Sequence, residues 1–407
     1  MKLKPIINSA LETDLYKFNM GNIIFKRYND RTTTWCFKCR NSDVKFTPEM
    51  VNEIREQIDW FCNVIRFTNE ELEWLKKTCP WLSVGYLNYL KHWSADRSTI
   101  FIKEGNIQAY NDCGLAIEAH GTWLDTSLFE IPVLAIVNEV YFAFKYGVGA
   151  KNIEFQKRTI DKFNGITNGM YDVGVFSEFG MRRRYSSEMQ DWLIRFIVDQ
   201  KIPSFVGTSN VYLAKKYGVK PLGTMAHEFG QVVGQSNPEL NPAYSNKFIM
   251  KEWTDEYKTL NGIVLDDVIG STVFLRDFDL TYANLFSGVR HDSGDPIEWG
   301  ENLLKHYEKL GIDAKTKTLL FSDSLNFEKA TQLKRHFDGR CRVAFGIGTW
   351  LANDTSVEPL NIVMKITECN GHPVAKLSNN PGKTMCRDPE YVKYLRRCID
   401  WRMKYEK

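Results

Sequence analysis

No block of lysine and arginine in this chain is long enough to grip a polyanion, and 53 basic against 50 acidic residues leave a net charge of only +3. Nucleic acid is therefore not the expected partner. The opening Met1-Lys2-Leu3-Lys4-Pro5 lacks the apolar core of a signal peptide. The most apolar stretch, Ile131 to Phe144, is too short to cross a bilayer and contains Glu139, so no membrane partner is expected. Nine scattered cysteines, an odd number, offer no disulfide framework and point to free thiols in a reducing, cytoplasmic setting. The lone Cys36-Phe37-Lys38-Cys39 lacks the second ligand pair that zinc needs, and it lies in a Thr- and aromatic-rich run that reads as a strand rather than a redox-type helix start. Low-complexity tracts and solenoid-period repeats are also absent. A chain of 407 residues, 43% hydrophobic and 13% aromatic, suits a large packed domain with a smaller one beside it.

Local signals then divide the chain. Thr13 to about Tyr28 reads as a helix with Thr13 as cap and with Asp14, Tyr16 and Lys17 on its first turn. Thr32–Cys39 reads as a strand. Thr47 as N-cap with Pro48 at the first helical position opens a helix whose apolar stripe runs Met50, Ile54, Ile58, Phe61, Ile65. Thr68 with Glu71 forms a capping box. Short strand patterns between Ser98 and Ala119 are broken at Asn111-Asp112 and Cys113-Gly114. From Ile131 a helix apolar on most sides reaches Tyr146. Seven strand–loop units follow, with strands expected at Val173–Phe176, Ser204–Val206, Pro221-Leu222, Gly262–Leu265, Ser287–Val289, Lys317–Phe321 and Arg342–Phe345. The tail adds strand patterns at Ile362–Ile366 and Val374–Ser378 and a basic finish. This order predicts an α/β fold. Residues 131–350 form a parallel (β/α) barrel, with a doubly wound sheet as rival, and residues 1–130 form a smaller α+β domain. The segment 351–407 is expected to pack on that domain, which makes it discontinuous.

In either parallel architecture, active groups belong on the loops after the strands' C-terminal ends. Those loops carry Arg182, Arg290 and His227 as positive or donating groups, Asp267, Asp292 and Asp323 as carboxylates, and Gly346-Ile347-Gly348-Thr349 as a turn with exposed N–H groups. Glycine lets backbone approach phosphate oxygens closely, arginine forks onto phosphate or carboxylate, and hard cations prefer oxygen ligands. Taken singly, each aspartate is equally a helix cap and the glycine run an ordinary turn. Together they point to a phosphorylated sugar or nucleotide substrate, with Mg²⁺. A Schiff-base lysine, which an aldolase-like barrel needs, is missing from these junctions. A non-catalytic phosphate-binding barrel would keep the glycine turn but has no use for His227 with two arginines.

Six stretches in order resemble the nicotinate phosphoribosyltransferase family in its bacterial and yeast-type form. They are Thr13-Asp14-Leu15-Tyr16-Lys17, Phe176-Ser177-Glu178-Phe179-Gly180-Met181-Arg182-Arg183, Gly223-Thr224-Met225-Ala226-His227-Glu228, Val289-Arg290-His291-Asp292-Ser293-Gly294-Asp295-Pro296, Phe345-Gly346-Ile347-Gly348-Thr349 and Lys376-Leu377-Ser378. The resemblance spans nearly the whole chain. It implies an irregular barrel of the type II phosphoribosyltransferase kind. The implied reaction joins nicotinate to phosphoribosyl pyrophosphate (PRPP), coupled to ATP and with Mg²⁺, in NAD biosynthesis. By the same resemblance His227 accepts phosphate from ATP, and Arg182 and Arg290 meet the diphosphate and the ring substituent. Tyr16 and Phe179 enclose the pyridine, and Thr224 contacts it. Gly348 and Thr349 hold the 5′-phosphate, and Asp292 and Asp323 face the ribose. Asp267 lies near PRPP and is paired with Asp292 as metal ligand. In some relatives the tyrosine arrives from a second subunit, so a homodimer is one assembly the resemblance allows. Nicotinamide-using relatives carry an aspartate where this chain has Ser209, and a neutral donor there suits a carboxylate better. A quinolinate-specific relative would not need the His227 stretch.

Overall fold

The computed structural model describes residues 1–105, 113–379 and 383–406, so the break expected at Asn111-Asp112 lies outside the described residues. The strands there are β1 (Thr32–Cys39), β2 (Ile100–Glu104), β3 (Leu115–Thr122), β4 (Phe176–Glu178), β5 (Phe205–Thr208), β6 (Ile263–Leu265), β7 (Gly288–His291), β8 (Thr318–Phe321), β9 (Arg342–Ile347), β10 (Ile362–Cys369) and β11 (His372–Pro373). They form two sheets.

One sheet is antiparallel in the order β11-β10-β1-β3-β2. β1 is its centre, with Trp35 opposite Ile366 on one side and Ala119 on the other. Because alternate residues face opposite sides of a strand, Cys36 and Cys39 point apart. Cys36 packs with Val363 and Met385, while Cys39 joins the main core, and burial pushes the Cys36 thiol up to about 12.

The second sheet is parallel, in the order β5-β4-β9-β8-β7-β6. Its first strand, β4, pairs with both β5 and the last strand β9, which is how a sheet curls towards a barrel. Pro221 makes one parallel bridge to Thr208 at the β5 edge, but Pro221-Leu222 is no strand, and β5 and β6 end the sheet as its two edges. Three of the parallel strands, β4, β5 and β7, begin and end later than their apolar runs suggest, while β6 and β8 end and β9 begins where expected. β4 starts at Phe176, and Gly207-Thr208 and Gly346-Ile347 belong to strands rather than to loops. Phe176, Phe321 and Phe345 are buried on the side of the surrounding helices, against Phe163, Phe327, Trp299 and Phe337, while Ser177, Leu320, Ala344 and Gly346 face the cleft.

The apolar helical run is longer than its most hydrophobic segment. Trp123 to Tyr146 runs 24 residues, and its most apolar 18-residue window has mean hydropathy 1.5, enough by length and composition to cross a membrane, yet 89% of that window is buried inside this fold. Two local expectations fail in the tail. Val374–Ser378 is not a strand, since only Lys376 bridges to Met385. The final helix, Pro389–Tyr405, packs not on the antiparallel sheet but on the segment around residues 235–277, where Arg402 pairs with Asp277 and donates to the Ala243 carbonyl at 2.7 Å.

Candidate active site

Thr13 does not cap the first helix. That helix is Leu15–Arg27 with Asp14 at its N-cap, and its first turn is pressed against the Gly-Thr turn ahead of His227. Gly223 adopts φ +148°, and a Cβ there would stand 2.9 Å from the Tyr16 amide nitrogen, so this approach requires glycine. Asn19 seals the contact by donating to the Gly223 carbonyl at 2.9 Å. Tyr16 is thereby carried to the barrel mouth of its own chain. Phe179 follows β4, its ring lying on Gly346, where a Cβ would come within 2.4 Å of it.

The residues of the strand ends converge. Tyr16, Phe179, Arg182, Ser209, Thr224, His227, Arg290, Asp292, Asp323, Gly348 and Thr349 all line one cleft of about 1500 Å³, together with Asp14 and Lys376. Asp267 does not line it; it is fully buried behind His227. Of the arginine triplet, Arg182 and Arg183 reach the cleft. Arg184 is buried against Glu12 at 2.9 Å and serves the core.

His227 is the first residue of the buried helix His227–Gln235. Its Nε2 lies 2.7 Å from Asp267 Oδ1. Asp267 in turn accepts from Ser293 Oγ at 2.6 Å and Ser378 Oγ at 3.3 Å, and Lys376 Nζ sits 3.2 Å away. The tail residues Lys376 and Ser378 thus hold the carboxylate that holds the histidine. Burial opposes charge on Asp267, but Lys376 and His227 keep it well below the usual carboxylate range. Burial, then Lys376, push His227 down to about 4. The neutral ring carries its proton on Nε2, the atom facing Asp267, which leaves the lone pair on Nδ1.

The ligand-type atoms of His227, Asp267 and Asp292 lie within 4.8 Å of one another, close enough for a cation. The donor set nevertheless does not fit Mg²⁺, which needs near-octahedral oxygen ligation. Lys376 already stands 3.2 Å from Asp267 and 3.6 Å from Asp292, and Asp267 has its partners. Of the expected ligand pair, Asp267 holds His227 and Asp292 pairs with Arg290. Arg290 donates to Asp292 Oδ1 at 3.2 Å and to the Met225 carbonyl at 3.3 Å, while its Nε is buried with no hydrogen-bond partner among the described residues.

Beneath the cleft lies a charge network whose pairing no sequence signal announces. Lys17, fully buried, bonds Glu228 and lies 2.7 Å from Glu130. Glu130 also takes Lys365 at 3.2 Å and lies 3.8 Å from Arg182. Glu228 accepts from Ser127 Oγ at 2.7 Å and from Trp123 Nε1 at 3.3 Å. The network ties the Tyr16 helix, the His227 helix, β10 and Arg182 into one block. A buried ion pair that loses one member leaves an uncompensated charge, at about 3–5 kcal/mol. Lys17→Met is expected to lower stability by about that amount, read as a fall in the denaturant midpoint with unchanged slope. An unshifted midpoint would show that Lys365, Arg182 and Ser127 suffice without it.

Fold and mouth together define a barrel of the type II phosphoribosyltransferase class, and comparison with known proteins narrows it. The profile of the nicotinate phosphoribosyltransferase (NAPRTase) family matches residues 175–401, and that of the NAPRTase N-terminal domain matches residues 11–138. The chain is 42% identical to the nicotinate phosphoribosyltransferase of Xylella fastidiosa, over 96% of this chain and 97% of that one. It is 43% identical to that of Bordetella pertussis, over 96% and 94%. Nicotinate phosphoribosyltransferase structures from Vibrio cholerae and Porphyromonas gingivalis superpose with TM-scores of 0.89 at 32% and 33% identity. The Vibrio match covers 97% of this chain and 94% of that one, and the Porphyromonas match 97% and 100%. The chain belongs to the nicotinate phosphoribosyltransferase family.

Proposed function

We propose that this enzyme transfers phosphoribosyl from PRPP to nicotinate, releasing pyrophosphate, and couples the transfer to ATP through phosphorylation of His227. The observation that carries the reading is His227 itself. It is a buried imidazole kept neutral, with Nε2 fixed on Asp267, beside two cleft arginines and an aromatic pair. In the coupling step Nδ1 attacks the γ-phosphorus, the N–P bond forms, the bond to the bridging oxygen breaks, and ADP leaves with that electron pair. In this reading the resulting dianion enters the cleft that Arg290 and Asp292 also line, competes with Asp292 for the arginine and reshapes the site for PRPP.

In the transfer step the anomeric C–O bond breaks and its electrons leave with pyrophosphate, met by Arg182 and Arg290. The pyridine nitrogen, aligned between Tyr16 and Phe179, supplies the pair for the new C–N bond. No general base is needed, because that lone pair is already free. In this reading Gly348 and Thr349, just past β9, take the 5′-phosphate, with Asp292 and Asp323 on the ribose side. The reading places the reaction in the cytoplasm, with Tyr16 serving its own chain's cleft. Neither step rests on a bound cation.

The test is turnover with PRPP and Mg²⁺ salts, offering nicotinate or nicotinamide, with and without ATP. Nicotinate mononucleotide formed faster with ATP, and ADP released alongside, is the expected result. No turnover of either ring would overturn the reading.

A further inference from the structure

Asp14 occupies an N-cap position, where an aspartate ordinarily accepts from the first-turn N–H groups and gains about 1 kcal/mol of helix stability. Here its side chain makes no such bond. It accepts instead from Ser209 Oγ at 2.6 Å, is 4% exposed, and lines the cleft with Tyr16 and Arg182. The backbone around it is pinned. Asp14 bridges Asn210, the Leu15 amide donates to the Ser209 carbonyl at 3.1 Å, and the Val211 amide to the Thr13 carbonyl at 3.0 Å. An acid has given up its local cap to be held rigidly in the cleft, and local rules broken without local gain mark functional positions. Ser209, expected to greet a carboxylate substrate with its hydroxyl, has that proton committed to Asp14.

We propose that Asp14 is the specificity-determining residue that reads the ring substituent: as a carboxylic acid it donates to a carboxylate, and as a carboxylate it accepts from a carboxamide N–H. The proposal rests on the phosphoribosyltransferase reading above. The groups that face Asp14 are Arg182, which opposes its protonation, the Tyr16 and Ser209 hydroxyls, which also favour the charged form, and Glu130, which favours protonation. Glu178, on β4, is coupled to it by charge and acts in the same sense as Glu130. Burial, the largest influence, raises Asp14 above the usual carboxylate range. A substrate carboxylate arriving beside it adds like charge, so binding the acid takes up a proton and binding the amide does not. Linkage then sets the sign: affinity for the acid falls as pH rises, and affinity for the amide does not fall with it.

The experiment measures apparent Kd for nicotinate and, by competition, for nicotinamide, on the full-length enzyme from about pH 6 to pH 9. Taking the ratio cancels every titration that affects both rings equally. The preference for nicotinate is expected to decline with rising pH, by up to about tenfold per unit, and to become pH-independent in Asp14→Asn. A flat wild-type ratio, or an Asp14→Asn ratio with the wild-type slope, overturns the assignment. Should Asp14→Asn fail to fold, Ser209→Ala serves. It removes a donor to the charged form, so the decline must move to higher pH, and an unmoved profile overturns the proposal. Absence of any nicotinate turnover in the wild type would take down the parent reading and this one together, whereas turnover with a flat ratio takes down this one alone.

Discussion

His227→Ala is expected to abolish incorporation of label from γ-labelled ATP and all ATP stimulation of turnover, leaving only slow uncoupled transfer. The reason is positional. Nε2 is held by Asp267 at 2.7 Å, and that carboxylate is itself fixed by Ser293, Ser378 and Lys376. One nitrogen, Nδ1, is left as nucleophile, and alanine removes it. Acid-labile phosphate persisting on the variant would sink the assignment. The pH profile is a second check. Protonation consumes the lone pair, so phosphorylation is lost as pH falls; burial and Lys376 delay that loss from the ordinary histidine range to about 4. Labelling should therefore stay level through the region of about pH 6.5, where an exposed histidine titrates. The same depression has a folding consequence. Its contribution to stability is complete above the unfolded value of about 6.5 and is lost as pH falls towards the folded one, because the unfolded chain takes the proton first.

What the sequence reveals about this molecule follows the range of each signal. Thr47 with Pro48, Thr68 with Glu71, and Asp295 with Pro296 act within one helical turn, and each caps the helix its spacing indicates. Strand limits answer to partners far away. Gly346 reads as a loop because glycine usually marks one, yet it sits in β9, where its missing Cβ admits the Phe179 ring. Val374–Ser378 has the apolar content of a strand, but Ser378 turns to φ +62° as the chain brings Lys376 and Ser378 to Asp267. Most of the cleft residues were legible, because a barrel puts strand-end loops on one face wherever the exact ends fall. The supporting charges were not. Glu130 borders an apolar run and Glu228 follows a histidine, and nothing nearby shows that Lys17 pairs with both across 113 and 211 positions (130 − 17 and 228 − 17). Asp14 was legible as a first-turn acid but not as one diverted from capping, since its partner Ser209 lies on another loop.

Arg290→Lys is expected to lower kcat/KM by about 10²- to 10³-fold, or roughly 3–4 kcal/mol of transition-state stabilisation, while the fold persists. Arg290 stands on β7 with one terminal nitrogen on the Met225 carbonyl at 3.3 Å, next to the His227 stretch, and the other on Asp292 at 3.2 Å. Its Nε lies buried without a partner among the described residues. A buried donor left unmatched costs free energy, and in the proposed reaction an anion would complete it. Lysine keeps the charge and loses the fork. A single ammonium cannot hold Met225 and Asp292 apart and still offer a planar edge to a departing diphosphate. Charge alone would preserve ground-state attraction, so the loss should fall on kcat more than on the KM for PRPP. Near-normal turnover would instead make Arg290 a strut between the His227 turn and Asp292, and would move leaving-group stabilisation onto Arg182.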